Sequence, residues 1–325
     1  MTGIKPLIIE NFHGDFEHVA SLIQLSWANN DKQPLLYTAD FLASFFEYPG
    51  ANFSFSPTLY DGSKPLAFVA GFPRRLRFKD RELSIIVISF LSVSNEYKKK
   101  GYGIVLWSEL VKRAQARGFD GMMNYCVEGE PMNGMIIASC QRLKIPVERV
   151  YAIHYLSCFL WPKETGNTEN SPGDGNFGDF LELAAPISES TPLARIWSQP
   201  EAEWQCSRRL GALVARHCTG GRRGILTGYI MPIADPKRTK CLLIEDLLWG
   251  NLEPEGRSVL VRQLKNEAIA AGARMAVVPI LGYAETKPFL SAGFRPSQRT
   301  VHAYFSIWNG QPEMGMLDAI YLDVF

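Results

Sequence analysis

The sequence predicts an α/β (α+β) protein built from two tandem units, and three observations lead there. Strongly apolar, β-branched runs alternate with helical patterns, as where 82-ELSIIVISFLSV-93 precedes an amphipathic stretch over 103–117. The same order of elements returns later in the chain. Between the two rounds runs 163-KETGNTENSPGDGNFGDF-180, where Gly, Asn, Pro, Ser and acidic residues displace the aliphatics that a packed core needs. The expected organisation is a unit over 1–162, a linker over 163–180 and a second unit over 181–325. With 325 residues and 46% hydrophobic content, each unit is long enough to bury its own core.

In the first unit the patterns predict helices near 15–30 and 39–48, then a strand, strands over 65–78 and 82–93, a helix over 103–117, a strand over 121–127, a helix over 132–143 and a strand over 147–161. In the 103–117 helix Ile104, Trp107, Val111 and Ala114 recur at three- and four-residue steps while Glu109, Lys112, Arg113 and Arg117 face away, and Gly118 supplies the stop. The second unit repeats this with strands over 224–235, 241–249, 274–281 and 299–308 and helices over 257–271 and 284–291. SELVKRAQARGFDGMMNYCV (108–127) and RQLKNEAIAAGARMAVVPIL (262–281) keep one register, and the stops Gly118 and Gly272 stand 154 residues apart. That register reads as an internal duplication.

Composition excludes several classes. Lys plus Arg number 34 against 33 Asp plus Glu, a net charge of +1, and the basic residues are scattered, which argues against nucleic-acid binding. The N-terminal residues do not pattern as a signal peptide, and no apolar run reaches the roughly 20 residues that cross a bilayer, so a cytoplasmic protein with no membrane partner is expected. The six cysteines lie singly and the histidines lack ligand spacing; buried free thiols and no metal are expected.

The chemistry concentrates in 93-VSNEYKKKGYGIVLWSEL-110, a turn that leaves a strand and opens a helix. The first backbone N–H groups of a helix have no intrahelical partner and sit at the positive end of its dipole, which together attract an anion. Gly101 and Gly103 let backbone approach a phosphate, and Lys98, Lys99 and Lys100 add positive charge at the rim. The stretch reads as a pyrophosphate cradle. It lacks the GKS/GKT of a Walker loop and the full GxGxxG of a dinucleotide site.

Here the sequence resembles the GNAT acyltransferase superfamily, whose R/Q-x-x-G-x-G/A motif matches Lys98-Lys99-Lys100-Gly101-Tyr102-Gly103, with lysine in place of the usual first residue. The resemblance spans about residues 5–162 and implies two GNAT-like domains, each a mixed, mostly antiparallel sheet flanked by helices. It implies coenzyme A or acetyl-CoA as co-substrate, bound by the turn through Ile104, with pantetheine running strand-like beside Leu91, Ser92 and Val93. Ser92 and the Val93 N–H would polarise the thioester carbonyl. Asn133 stands where the family often has Asn at the opening of the next helix.

Transfer from a thioester to an amine needs a neutral amine, a polarised carbonyl and a stabilised leaving thiolate. The strand SIIVISFLSV carries no carboxylate, so Glu128, at the exit of the next strand, is the nearest candidate base. The family's general acid, a Tyr seven residues after the Asn, falls on Cys140, with Tyr125 as a substitute. The expected acceptor is a small-molecule or peptide amine, and the expected state a monomer holding an internal pseudo-dimer, or a weak homodimer.

In the second unit the matching turn, 249-WGNLEPEGRSVLV-261, puts Glu253 and Glu255 near the lysine and glycine positions and removes a donor at Pro254, so that unit is expected to have lost coenzyme A. Glu245 and Asp246, the conspicuous charges in an apolar run, have two readings: an ammonium site in the cleft, or one on a solvated face with the other against an arginine. A non-catalytic acyl-CoA sensor and a ligand-free scaffold remain the rival functions.

Overall fold

The computed structural model describes residues 7–27, 35–162, 177–234, 237–308 and 315–323. Its order is β1 Ile8–Asn11, α1 Phe16–Trp27, α2 Ala39–Phe46, β2 Pro57–Asp61, β3 Lys64–Phe78, β4 Arg81–Val93, α3 Tyr102–Ala116, β5 Gly121–Val127, α4 Pro131–Leu143 and β6 Glu148–Phe159. The second round runs α5 Phe177–Ser190, β7 Leu193–Arg195, α6 Gln199–Glu203, β8 Ala212–Thr219, β9 Arg222–Pro232, β10 Lys240–Leu248, α7 Pro254–Ala270, β11 Ala273–Ile280, α8 Lys287–Ser291, β12 Arg295–Ile307 and β13 Ile320–Tyr321.

The described strands form one 13-stranded mixed sheet with helices against it; eleven follow the order β1-β2-β3-β4-β5-β12-β6-β11-β10-β9-β8, and off this path β7 pairs with β3 and β13 with β7. Two parallel pairs anchor its halves, β4 with β5 and β10 with β11. The last strand of each round crosses to the other: β12 lies antiparallel to β5, and β6 antiparallel to β11, while β6 and β12 pair at the centre. The sequence boundary near residue 162 is therefore no break in the sheet. The cores follow suit, since one apolar cluster joins Phe41, Phe45 and Phe68 of the first round to Trp204, Tyr229 and Leu243 of the second.

α3 packs against β2, β3, β4 and β5. Leu106, Trp107, Leu110, Val111 and Ala114 are buried, each large side chain contributing about 1.5–3 kcal/mol through burial. Gly71 in β3 makes this approach possible, because a Cβ there would meet Ile86 at 2.7 Å and Leu110 at 2.9 Å. Ile104, placed inward by the spacing, is only partly covered; it sits in the first turn, at the open end of the sheet.

Most of the linker segment, 163–176, lies outside the described residues, and 177–180 form the first turn of α5 instead of linker. Of the cysteines, Cys126, Cys140, Cys158, Cys206 and Cys241 are buried free thiols and Cys218 is exposed. No described helix is long and apolar enough to cross a membrane.

Candidate functional site

The site begins with a defect in β4. Opposite Val69 of β3 stand two residues, Phe90 and Leu91, because the register steps from Ala70↔Ser89 to Phe68↔Ser92. Such a bulge bends the strand and turns backbone groups out of the ladder. Phe90 takes φ 60°, a left-handed conformation that costs a bulky residue on the order of 1–3 kcal/mol.

At the same level β4 and β5 part: their pairing ends at Ile88↔Asn124, although both strands continue. The gap is a cavity of about 150 Å³ lined by Phe90, Leu91, Trp107, Tyr125, Cys126 and Met132 among others. Trp107 is fixed beneath it by donating its indole N–H to Asn124 Oδ1 at 3.0 Å.

The lysine-glycine turn stands at the mouth of this gap. Gly101 is the N-cap of α3 with φ 85° and no side-chain cap, and no described group accepts from the N–H of Tyr102, Gly103 or Ile104. The glycine is required by that φ, since nothing crowds its Cβ position. Gly103 faces the end of β4, its Cβ position 3.5 Å from Val93. Lys98 Nζ donates to the Ser26 carbonyl at 2.6 Å, tying the turn to α1, and Lys100 lies over the Tyr97 ring. Lys99 takes φ 63° and is exposed.

Other expected residues fall elsewhere. The Val93 N–H donates to Ser26 Oγ at 3.3 Å, and Ser92 is buried with an unpartnered hydroxyl, so neither aims a donor into the gap as expected. Asn133 buttresses the exit of β5: its Nδ2 donates to the Val127 and Glu130 carbonyls at 2.7 and 3.0 Å, and its Oδ1 accepts from Tyr304. Cys140 is fully buried on the inner face of α4, and burial pushes its thiol up to about 12. That is a poor acid for a thiolate of ordinary basicity, near 8.5. Glu128 is exposed on the rim, 3.8 Å from His302. Tyr125 does line the gap, its phenol raised well above its ordinary value, first by burial and then by the Asp323 charge.

Asp323, which patterning did not single out, lines the space behind Phe90 together with Arg74, Tyr125, Tyr155 and Arg299. Burial alone would raise its carboxyl, but Arg195 and Arg74 outweigh burial and hold it well below the usual carboxylate range. Arg74 donates to it from Nε at 2.8 Å and Nη2 at 2.6 Å. Beyond Tyr155 and Arg299 the groove widens into a pocket of about 540 Å³ walled by Leu35, Ile233, Leu243, Met275 and Val277.

The second half repeats the geometry and closes it. β10 bulges at Glu245 and Asp246 opposite Thr227, and its pairing with β11 ends at Leu243↔Val277. Here side chains occupy the gap. Glu245 pairs with Arg209 at 2.6 Å, Asp246 accepts from Thr227, Gln205 and Tyr321, and the Leu247 N–H donates to the Tyr283 hydroxyl at 3.0 Å. Both carboxylates are 4% exposed, which corrects the readings of an ammonium site and of a solvated face, while Glu245 does stand against an arginine, Arg209. At the matching turn Glu253 is the N-cap of α7, Pro254 the first helical residue, and Arg257 folds back onto the Leu252 carbonyl and Glu285.

The site is thus a bulged, splayed parallel pair in a mixed sheet with an uncapped helix N-terminus beside it, an arrangement able to receive an anion at the helix end. Residues 18–133 match the Acetyltransferase (GNAT) family. No curated protein matches the sequence. Among solved structures, Saccharomyces cerevisiae N-myristoyltransferase with bound myristoyl-CoA superposes with TM-score 0.74 at 13% identity, covering 96% of this chain and 85% of that one. The same enzyme with myristoyl-CoA and inhibitors gives 0.74 at 13% identity over 96% and 82%. At that identity the likeness is one of fold. The likeness to GNAT acetyltransferases is carried by residues 18–133, and the second half repeats the order of elements found in the first.

Proposed function

We propose that the protein is an acyl-CoA-dependent N-acyltransferase that moves a short acyl group, acetyl first of all, directly to a primary amine in a ternary complex. The observation that carries this is the open β4–β5 gap beside the uncapped start of α3. The pyrophosphate of coenzyme A rests on the N–H groups of Tyr102, Gly103 and Ile104, with Lys98, Lys99 and Lys100 around it. Pantetheine runs along β4 beyond Leu91, and the bulge at Phe90–Leu91 presents the backbone donors for the thioester carbonyl. The neutral amine attacks the carbonyl carbon, the C–N bond forms, the C–S bond breaks, and the thiolate leaves with the electron pair. The amine proton passes through water toward Glu128 on the rim. The second half, its gap filled by Glu245, Asp246 and their partners, serves as scaffold and wall of the acceptor groove.

A short acyl group suits the aromatic floor. The Phe90 ring packs against Tyr37, Phe45 and Phe72 at 5.3, 5.6 and 6.0 Å between centroids, so a long chain must displace them. A long-chain donor is the second reading, favoured by the 540 Å³ pocket next to this floor and by the myristoyl-CoA held in the similar structures. Acetyl-, butyryl- and octanoyl-CoA compared by thiol release over an amine panel separate the two. The proposal expects acetyl to be fastest and Phe72→Ala to shift the optimum to longer chains; binding without turnover on every amine would favour a sensor. Cys140→Ala should leave turnover unchanged and cost about 1 kcal/mol of stability or somewhat more.

A further inference from the structure

Arg299 stands out among the basic residues of the cleft. It lines both the space behind Phe90 and the 540 Å³ pocket, so it marks the junction between the transfer site and the acceptor groove. The other arginines nearby are committed: Arg74 and Arg195 to Asp323, and Arg209 to Glu245. The Arg299 guanidinium makes no ion pair or side-chain hydrogen bond with any described residue, and its Nε is shielded from solvent with no partner. The groups facing it are the phenols of Tyr37 and Tyr155, whose ionisation its charge favours against their burial. Ser297 Oγ accepts the Arg299 backbone N–H at 3.2 Å, fixing the loop that presents the side chain. A half-buried guanidinium with unused donors is a carboxylate or phosphate receptor, because its fork matches two oxygens at once. The walls beyond it, Leu35, Ile233, Leu243, Met275 and Val277, ask for an apolar body.

We propose that the acceptor is an amine that also carries a carboxylate and an apolar side chain, the carboxylate held by Arg299 and the side chain filling the pocket beyond. This rests on the acyltransferase reading. An apolar α-amino acid, or a short peptide ending in one, meets the description.

The test compares L-leucine with 3-methylbutylamine and L-phenylalanine with 2-phenylethylamine, each with acetyl-CoA, in the native protein, Arg299→Gln and Arg299→Lys. The expected result is a preference of about tenfold or more in kcat/KM for the carboxylated member of each pair, as for loss of a charge-assisted pair. That preference should disappear in Arg299→Gln and partly return in Arg299→Lys, with acetyl-CoA affinity by calorimetry the same in all three. Thermal melts confirm that the variants fold, and calorimetry with L-leucine alone reads the site without turnover. Equal rates within each pair, or a preference that survives in Arg299→Gln, would overturn the proposal. So would an Arg299→Gln protein that loses only succinyl-CoA turnover, because the carboxylate would then sit on the acyl group. Absence of acetyl-CoA binding in the native protein would instead remove the reading beneath it, whereas binding of L-leucine lost in Arg299→Gln would stand without it.

Discussion

Asp323→Asn is expected to destabilise the protein by about 3–5 kcal/mol, the cost of leaving buried charge uncompensated. Arg74 is 3% and Arg195 1% exposed, and Asp323 is the carboxylate they share, so the amide leaves Arg74 without a charged partner among the described residues and Arg195 with only Glu201 at 3.8 Å. The sign with pH follows from the depressed carboxyl. The Asp323 contribution is present above its unfolded value, near 3.9, and is lost as pH falls through the lower folded value. Glu245 and Asp246 act oppositely, since burial raises both and protonation on acidification relieves it. Urea unfolding of native and Asp323→Asn protein between pH 7 and pH 2 should show the difference between them shrinking at the acid end; a constant difference would remove the ion pair from the explanation.

The double change Gly101→Glu with Gly103→Glu should lower acetyl-CoA affinity by about hundredfold or more, each tenfold corresponding to roughly 1.4 kcal/mol. Two carboxylates would stand where the anion meets the N–H groups of α3, and Gly101 would lose the residue best suited to its φ of 85°. Because Gly101 has open space around its Cβ position and Gly103 only ordinary contacts, the variant should still fold, with a modest drop in melting temperature. Unchanged affinity in a folded variant would place the pyrophosphate elsewhere.

Local signals made much of this legible. β5 follows its apolar run from Gly121 to Val127, α3 starts within one residue of the predicted position, and the glycine turn announces itself through residues whose conformational demands are local. The exchange of β6 and β12 leaves no such trace, because strand order in a sheet is set by partners more than a hundred residues away. β8 is hard to see in the sequence because ALVARHCT alternates weakly and carries Arg216 and His217. The bulge at Phe90 gave no sign either, since a phenylalanine in a strand reads as packing whatever its φ. Glu245 and Asp246 are visible as charges in an apolar run, but their partners, Arg209 and Gln205, Thr227, and Tyr321, come from three separate segments. Asp323 and Arg299 acquire meaning only when the fold brings them behind Phe90.

One gap is open and the other filled, and the stoichiometry of acetyl-CoA binding distinguishes them. Calorimetric titration of the intact protein should give one saturable site per chain, with ligand at about 100 times its Kd stabilising the fold by roughly 2.7 kcal/mol. Two equivalent sites would mean that Glu245, Asp246 and their partners do not close the second half, and no site at all would contradict the cradle at the start of α3.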